Sequence, residues 1–156
     1  MNDIARGMAA GLIASLALWF VIYTKQTAGV AGTDPEQLMA LALGRLGMHI
    51  KTSTGWTAHL VIGTVVWGGL FGLLNDWMPA RSEIVKGLCF SLLTWLTMIV
   101  FLMPIAALGG DELTGAGFSA TVEVTLVVHL LFGAVLGAAY AVMTPVSASA
   151  RNVLYD

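Results

Sequence analysis

An imidazole can hold a haem iron or another metal, carry a proton, or anchor a hydrogen bond. In apolar surroundings it persists only with a partner or a purpose. Two of the chain's three histidines stand in such surroundings, at the heads of "HLVIGTVVWGGLFG" (His59) and "HLLFGAVLGAAYA" (His129). Each is followed by a leucine and then, four positions on, by a glycine, Gly63 and Gly133. Three uses are open. The rings can be structural, bonded to Ser15, Ser91, Thr64, Thr94, Thr125 or a backbone carbonyl, because buried polar groups are satisfied. They can be the two axial ligands of a haem b. They can also line a proton or solute path, with Glu123 as a further ionisable station.

Other chemistry is scarce. The sequence holds no nucleotide-binding loop, no metal-ligand cluster and no nucleophile with a base in sequence reach, so no residue is assigned a catalytic role and no metal site is assigned. The lone Cys89, in "GLCFSLLTW", has no disulfide partner and reads as a small buried hydrophobe. His49, beside Lys51, reads as a solvated side chain, with a third metal ligand as its remote alternative.

The elements that must position the histidines follow from composition. The 156 residues are 58% hydrophobic and 10% charged, with mean hydropathy +0.86; soluble domains carry roughly 25% charged residues. The solvent for much of this chain is therefore lipid. A net charge of −2 and the lack of any basic stripe argue against nucleic acid. Four stretches meet the length and polarity requirements of a membrane-spanning helix: about 7–24, 56–74, 84–103 and 121–143. Lys86 is expected to snorkel to headgroups from the start of the third, and Pro104 to close that span rather than break it. Arg6 followed by "GMAAGLIASLALWFVIY", with "AGVAG" around Ala31, also has the look of a secretory leader. An internal repeat counts this segment as structural, so it is read as a retained helix.

Between the first two spans, Asp34 can cap a helix opening at Pro35, and Gly47 can end it. Leu38, Met39, Ala42 and Leu46 form its apolar side, and Glu36, Gln37 and Arg45 are polar. This is expected to be a short amphipathic helix that lies in the interface or caps the bundle.

Orientation follows from the basic residues. Arg81 and Lys86 flank the loop between spans two and three, whereas the next loop has only Asp111 and Glu112. Cytoplasmic loops retain lysine and arginine, so both termini, with Arg6 and Arg151, are expected inside; Lys25, Arg45 and Lys51 in the longer first loop pull the other way. Trp19, Phe20, Tyr23 and Trp56 then sit at the outer interface and Trp77 at the inner one, with Trp67 and Trp95 packing mid-span. His59 and His129 each stand about fifteen residues from the inner end of their span, ~22 Å at 1.5 Å per residue, which puts them at one depth in the outer half. Glu123 lies roughly 120° round the helix from His129, suited to the interface rather than to a relay.

Two word matches suggest duplication. "GLIASLALW" from Gly11 and "GLCFSLLTW" from Gly87 share five residues at identical spacing, and the histidine words match in the same order. The fold expected is an all-α four-transmembrane-helix bundle, a single membrane domain of two pseudo-repeated helical hairpins (about 7–74 and 84–143) plus the short amphipathic helix. The halves would be related by an axis along the membrane normal. Small residues at four-residue steps, Gly7, Gly11 and Ser15, Gly68 and Gly72 with Gly63, Gly87 and Ser91, and Gly133 and Gly137, are the expected helix-packing positions. They predict a tight bundle without a wide pore.

"GWTAHLVIGTVVWGGLFGLL", "VKGLCFSLLTWLTMIVFLMP" and "VVHLLFGAVLGAAYAVM" together resemble a domain-of-unknown-function family of small four-helix bacterial inner-membrane proteins, broadly akin to the YagU-like group. The most specific element of the resemblance is Trp56-x-x-His59 followed by Gly63 and Trp67. It implies a helical membrane bundle in the bacterial inner membrane and brings no activity or catalytic residue. The function expected is that of a non-enzymatic accessory or structural subunit in the lipid bilayer, partnered by another membrane protein or a second copy, without a cofactor. The alternatives are a haem b redox subunit using His59 and His129, and a small transporter.

Overall fold

The computed structural model describes residues 1–29, 35–48, 51–108 and 115–144. No strand occurs among them, and four helices are long and apolar enough to cross a membrane: Asp3–Thr27, Thr54–Trp77, Glu83–Ala107 and Phe118–Met143, spans one to four in chain order. Each runs a turn or so beyond the apolar stretch legible in the sequence. In lipid the backbone must bond to itself, so the helix continues until water can take over.

Span one is the central element. Gly7, Ala10, Gly11, Ala14, Ser15, Leu18 and Ile22 are buried along it in the i, i+3, i+4 rhythm of a packed helix. It packs on span two on one side and span four on the other, and span four packs on span three. Spans two and three are joined through rings: Phe90 meets Trp67 and Phe71 edge-on at 6.2 and 5.4 Å, and Phe71 meets Tyr140 at 5.3 Å.

The span one–span two and span three–span four pairs approach backbone to backbone. A methyl group added at Gly11 would lie 2.7 Å from the Gly63 carbonyl oxygen and 2.9 Å from the Gly68 Cα. One added at Gly87 would collide with the Gly133 carbonyl and lie 3.0 Å from the Gly137 Cα. Gly68 presses on the Gly7 carbonyl and Gly137 on that of Glu83; Gly63 faces Ser15 and Gly133 faces Ser91. Without a hydrophobic drive between helices in lipid, such close approach supplies the attraction.

Spans two and three are not regular. Ile62–Gly68 and Met98–Leu102 are wound as π-helix. In span three the cause is Pro104, which has no N–H and whose ring crowds the carbonyl four residues back. The wider turn, with Met103 N–H reaching the Met98 carbonyl, absorbs it. Pro104 therefore does not close the span, which continues to Ala107.

The surface helix, Pro35–Arg45, ends in a Schellman turn: Gly47 has φ +82°, its N–H bonds the Gly44 carbonyl, and Met48 N–H bonds the Leu43 carbonyl. Asp34 lies outside the described residues. Leu38 and Ala42 pack with Met103 and Ala106 into a second small core over spans two and three. Two expectations for this helix are corrected. Glu36 is buried rather than on a polar face, because its carboxylate accepts a hydrogen bond from Gln26 Nε2 at 2.6 Å. Leu46 falls beyond the last turn and is exposed.

Two further corrections concern span three. Cys89 faces outward; two residues after Gly87 on a 3.6-residue helix it stands about 200° from the face that packs on span four. Lys86 does not snorkel. Its ammonium donates to Glu83 Oε1 and Asn75 Oδ1, both at 3.0 Å, and Asn75 Nδ2 donates to Glu83 at 2.5 Å. At the same end of the bundle Arg6 pairs with Asp3 at 2.6 Å and lies over the Tyr140 ring, 5.4 Å from its centroid.

Candidate functional site

At the other end, beneath the surface helix, spans two and three part around a cavity of about 280 Å³. Its existence qualifies the expectation of a tight bundle. Leu38 and Met39 of the surface helix form the roof, Trp67 and Phe132 lie deeper, and Phe101, largely exposed, stands on the wall. Both π-helical segments contribute lining: Ile62, Gly63 and Trp67 from one, Met98, Phe101 and Leu102 from the other. Such segments are frequent at functional sites, because the extra residue re-aims the side chains of a helix without ending it.

His59 and His129 both line this cavity. The His129 ring is fixed: its Nδ1 donates to the Thr125 carbonyl at 2.7 Å, one turn back on its own helix. The acceptor is a carbonyl, so the hydrogen must be on Nδ1, and the neutral ring offers a lone pair at Nε2. His59 differs. Its Nδ1 is buried without a hydrogen-bond partner, and its ring is held by an edge contact with Trp56, 5.9 Å between centroids. His59 also borders a second cavity of about 270 Å³ beside Ser15, Trp19 and Trp56. Ser15 Oγ and Thr64 Oγ1 are likewise buried and unpartnered. The expected partners thus divide: a backbone carbonyl takes His129, whereas neither Ser15 nor Thr64 bonds His59.

The remaining polar groups of the cavity are threonines with their hydroxyl hydrogens committed to their own helix, Thr94 to the Ser91 carbonyl and Thr97 to that of Leu93, each at 2.9 Å. Among the described residues no carboxylate and no lysine or arginine is on the wall. Trp95 is tied to Thr125, its Nε1 donating to Oγ1 at 3.3 Å. Glu123 is exposed, turned from the cavity. Among the described residues no group of three or more His, Cys, Asp or Glu is placed to hold a metal ion. His49, Asp111, Glu112 and Arg151 lie outside the described residues.

The packing glycines and serines named from the sequence build this site from behind. Gly63 is at once the point where span two meets Ser15 and part of the cavity lining, and Gly133 seats span four against Ser91. Sequence reading missed the π turns, the roofing role of Leu38 and Met39, and the contributions of Met98 and Phe101. One signal was present: Gly63 and Gly68 stand five apart, whereas Gly133 and Gly137 stand four apart. Both pairs press on the neighbouring helix, which a regular α-helix cannot do at a spacing of five.

A family model described as "Family of unknown function (DUF6789)" matches residues 1–150. No curated protein and no solved structure matches the chain.

Proposed function

The chain belongs to this family of unknown function, and from its own geometry we propose that it is a non-enzymatic integral membrane protein, an accessory component whose contribution is to bind a lipid-soluble molecule. One observation carries the reading: a mainly apolar cavity beneath the surface helix, entered by two histidine rings that have unused hydrogen-bonding capacity. Binding sites are concave, mostly apolar and marked by a few placed polar groups. Among the described residues no nucleophile with a base stands on the wall to make the site an enzyme's.

A duplicated hairpin accounts for how the site arose, and the matched contacts support it. Gly11 on Gly63 and Gly68 parallels Gly87 on Gly133 and Gly137, and Ser15 on Gly63 parallels Ser91 on Gly133. The packing glycines of the two second helices then differ by one residue in spacing, which the π turn of span two absorbs, and the cavity opens where that turn lies. Both termini are assigned to the cytoplasmic face of the bacterial inner membrane, because Arg6, Arg81 and Lys86 gather at their end of the bundle.

A second reading has an observation of its own. A ligating histidine usually donates its other ring nitrogen to a carbonyl or carboxylate, and His129 does so to Thr125. With His59 on the same cavity, the two histidines would be the residues to hold a haem b, which would supply one-electron chemistry, in a cavity of about 280 Å³ that would have to widen to admit it.

Purification from native membranes in mild detergent separates these. The accessory reading expects a colourless protein that co-purifies with another membrane chain or a second copy. A visible absorption band lost in both His59→Ala and His129→Ala would replace it with the haem reading, and recovery solely as a free monomer would contradict the accessory role.

A further inference from the structure

The hydrogen-bond inventory of the cavity narrows what it can hold, and we infer that the ligand is an uncharged lipophile whose ring-sized head carries a hydroxyl group, the hydroxyl donating to His129 Nε2. This rests on the proposed binding role and names the class of molecule bound.

Three observations lead there. First, among the described residues the wall bears no charged side chain, so a charged head would be buried there without a counter-ion, at a cost of several kcal/mol. The ligand is neutral. Second, the volume of about 280 Å³ lies just below the range for ligand sites, roughly 300–1,000 Å³. It accepts a head the size of one substituted ring, and an alkyl tail can leave past the exposed Phe101 into lipid.

Third, the donors and acceptors are not interchangeable. His129 Nδ1 is spent on the Thr125 carbonyl, which leaves Nε2 able only to accept. Thr94 and Thr97 have given their hydrogens to backbone carbonyls, so the oxygens they present also accept. A ligand with carbonyl or ether oxygens alone could accept from His59 but would face the threonine oxygens acceptor to acceptor and leave His129 Nε2 unpaired. A hydroxyl donates where the site lacks a hydrogen. His59, held by no hydrogen bond among the described residues, can take the tautomer that puts an N–H toward the same oxygen. One hydroxyl thus satisfies both rings, accepting from His59 and donating to His129.

The test compares 4-heptylphenol with its methyl ether, 4-heptylanisole, on the full chain in nanodiscs, with binding read as thermal stabilisation against the mole fraction of lipophile. The phenol is expected to bind on the order of tenfold more tightly than the ether, the consequence of leaving one buried acceptor unpaired. His129→Phe, which retains a ring without an acceptor, is expected to erase the difference. Equal binding of phenol and ether to the wild-type protein would overturn the hydroxyl assignment while leaving the binding site standing. Stabilisation by neither would overturn both.

Discussion

At the residue scale, His59 and His129 show how one residue type at one depth can have two fates. His129 is locked by a carbonyl of its own helix, whereas the equivalent nitrogen of His59 is buried with nothing to bond. An orphaned buried polar atom costs about 1–3 kcal/mol, so its retention beside two cavities is most economically explained by a ligand that satisfies it. The glycines behind the histidines are the other residues on which the site depends. A Cβ at Gly133 would collide with Ser91 Oγ and the Gly87 carbonyl, whereas one at Gly44, in the surface helix, meets nothing within 4 Å. Gly133→Ala is therefore expected to lower stability in detergent by about 1–3 kcal/mol, the cost of forced overpacking. Gly44→Ala is expected to stay within ~1 kcal/mol of wild type, helped by alanine's helix propensity. Equal melting temperatures for the two variants would show that the close approach at Gly133 is not what holds spans three and four.

At the element scale, the π turn of span two is the least expected feature and the easiest to test. A bulge places one extra residue in a helix without rotating the turns beyond it. Deleting a lipid-facing residue within it, Val65, should let Ile62–Gly68 rewind as α-helix while Gly63 and Gly68 remain on the face that packs against span one. The deletion variant is expected to keep its helical circular dichroism and its melting transition, although one residue lost from a regular helix rotates all beyond it by about 100°. Loss of the folded state would contradict the bulge as the device that fits a five-residue glycine spacing to its neighbour. Much of this level was legible beforehand. The four spans follow from apolar length, the surface helix from Pro35 and Gly47, and the packing faces from small residues at helical steps. What was not legible has physical causes. Pro104 reads as a terminator in water, but lipid penalises a helix that stops early and a wide turn lets it continue. Lys86 reads as a snorkelling cation, but it is held by Glu83, one turn back on its own helix, and by Asn75 from the end of span two, which meets it only after folding. Cys89 reads as buried from hydrophobicity alone, which carries no angle round the helix.

At the scale of the whole molecule, both polar clusters, Asp3–Arg6–Tyr140 and Asn75–Glu83–Lys86, lie at one end of the bundle, and the roofed cavity lies at the other. Periodicity shows which faces are small, but not that spans two and three would meet through rings and part above them, so the shared level of the two histidines was legible and the cavity they line was not. In the proposed orientation the polar end, with its basic residues, faces the cytoplasm. In a Cys89→Ala background, Ser82→Cys is expected to react with an impermeant maleimide from the cytoplasmic side and Asp111→Cys from the opposite side; labelling of both from one side would overturn the four-span topology. The central claim is that the cavity beneath the surface helix holds a neutral lipophile, and the most direct measurement is native mass spectrometry of the gently purified chain beside a variant whose cavity is filled, Met98→Trp. The account predicts that the wild-type protein carries one lipid-soluble molecule per chain and that Met98→Trp, folded and of similar melting temperature, carries none. A wild-type chain with nothing bound, or a filled variant that retains the same molecule in the same amount, would contradict it.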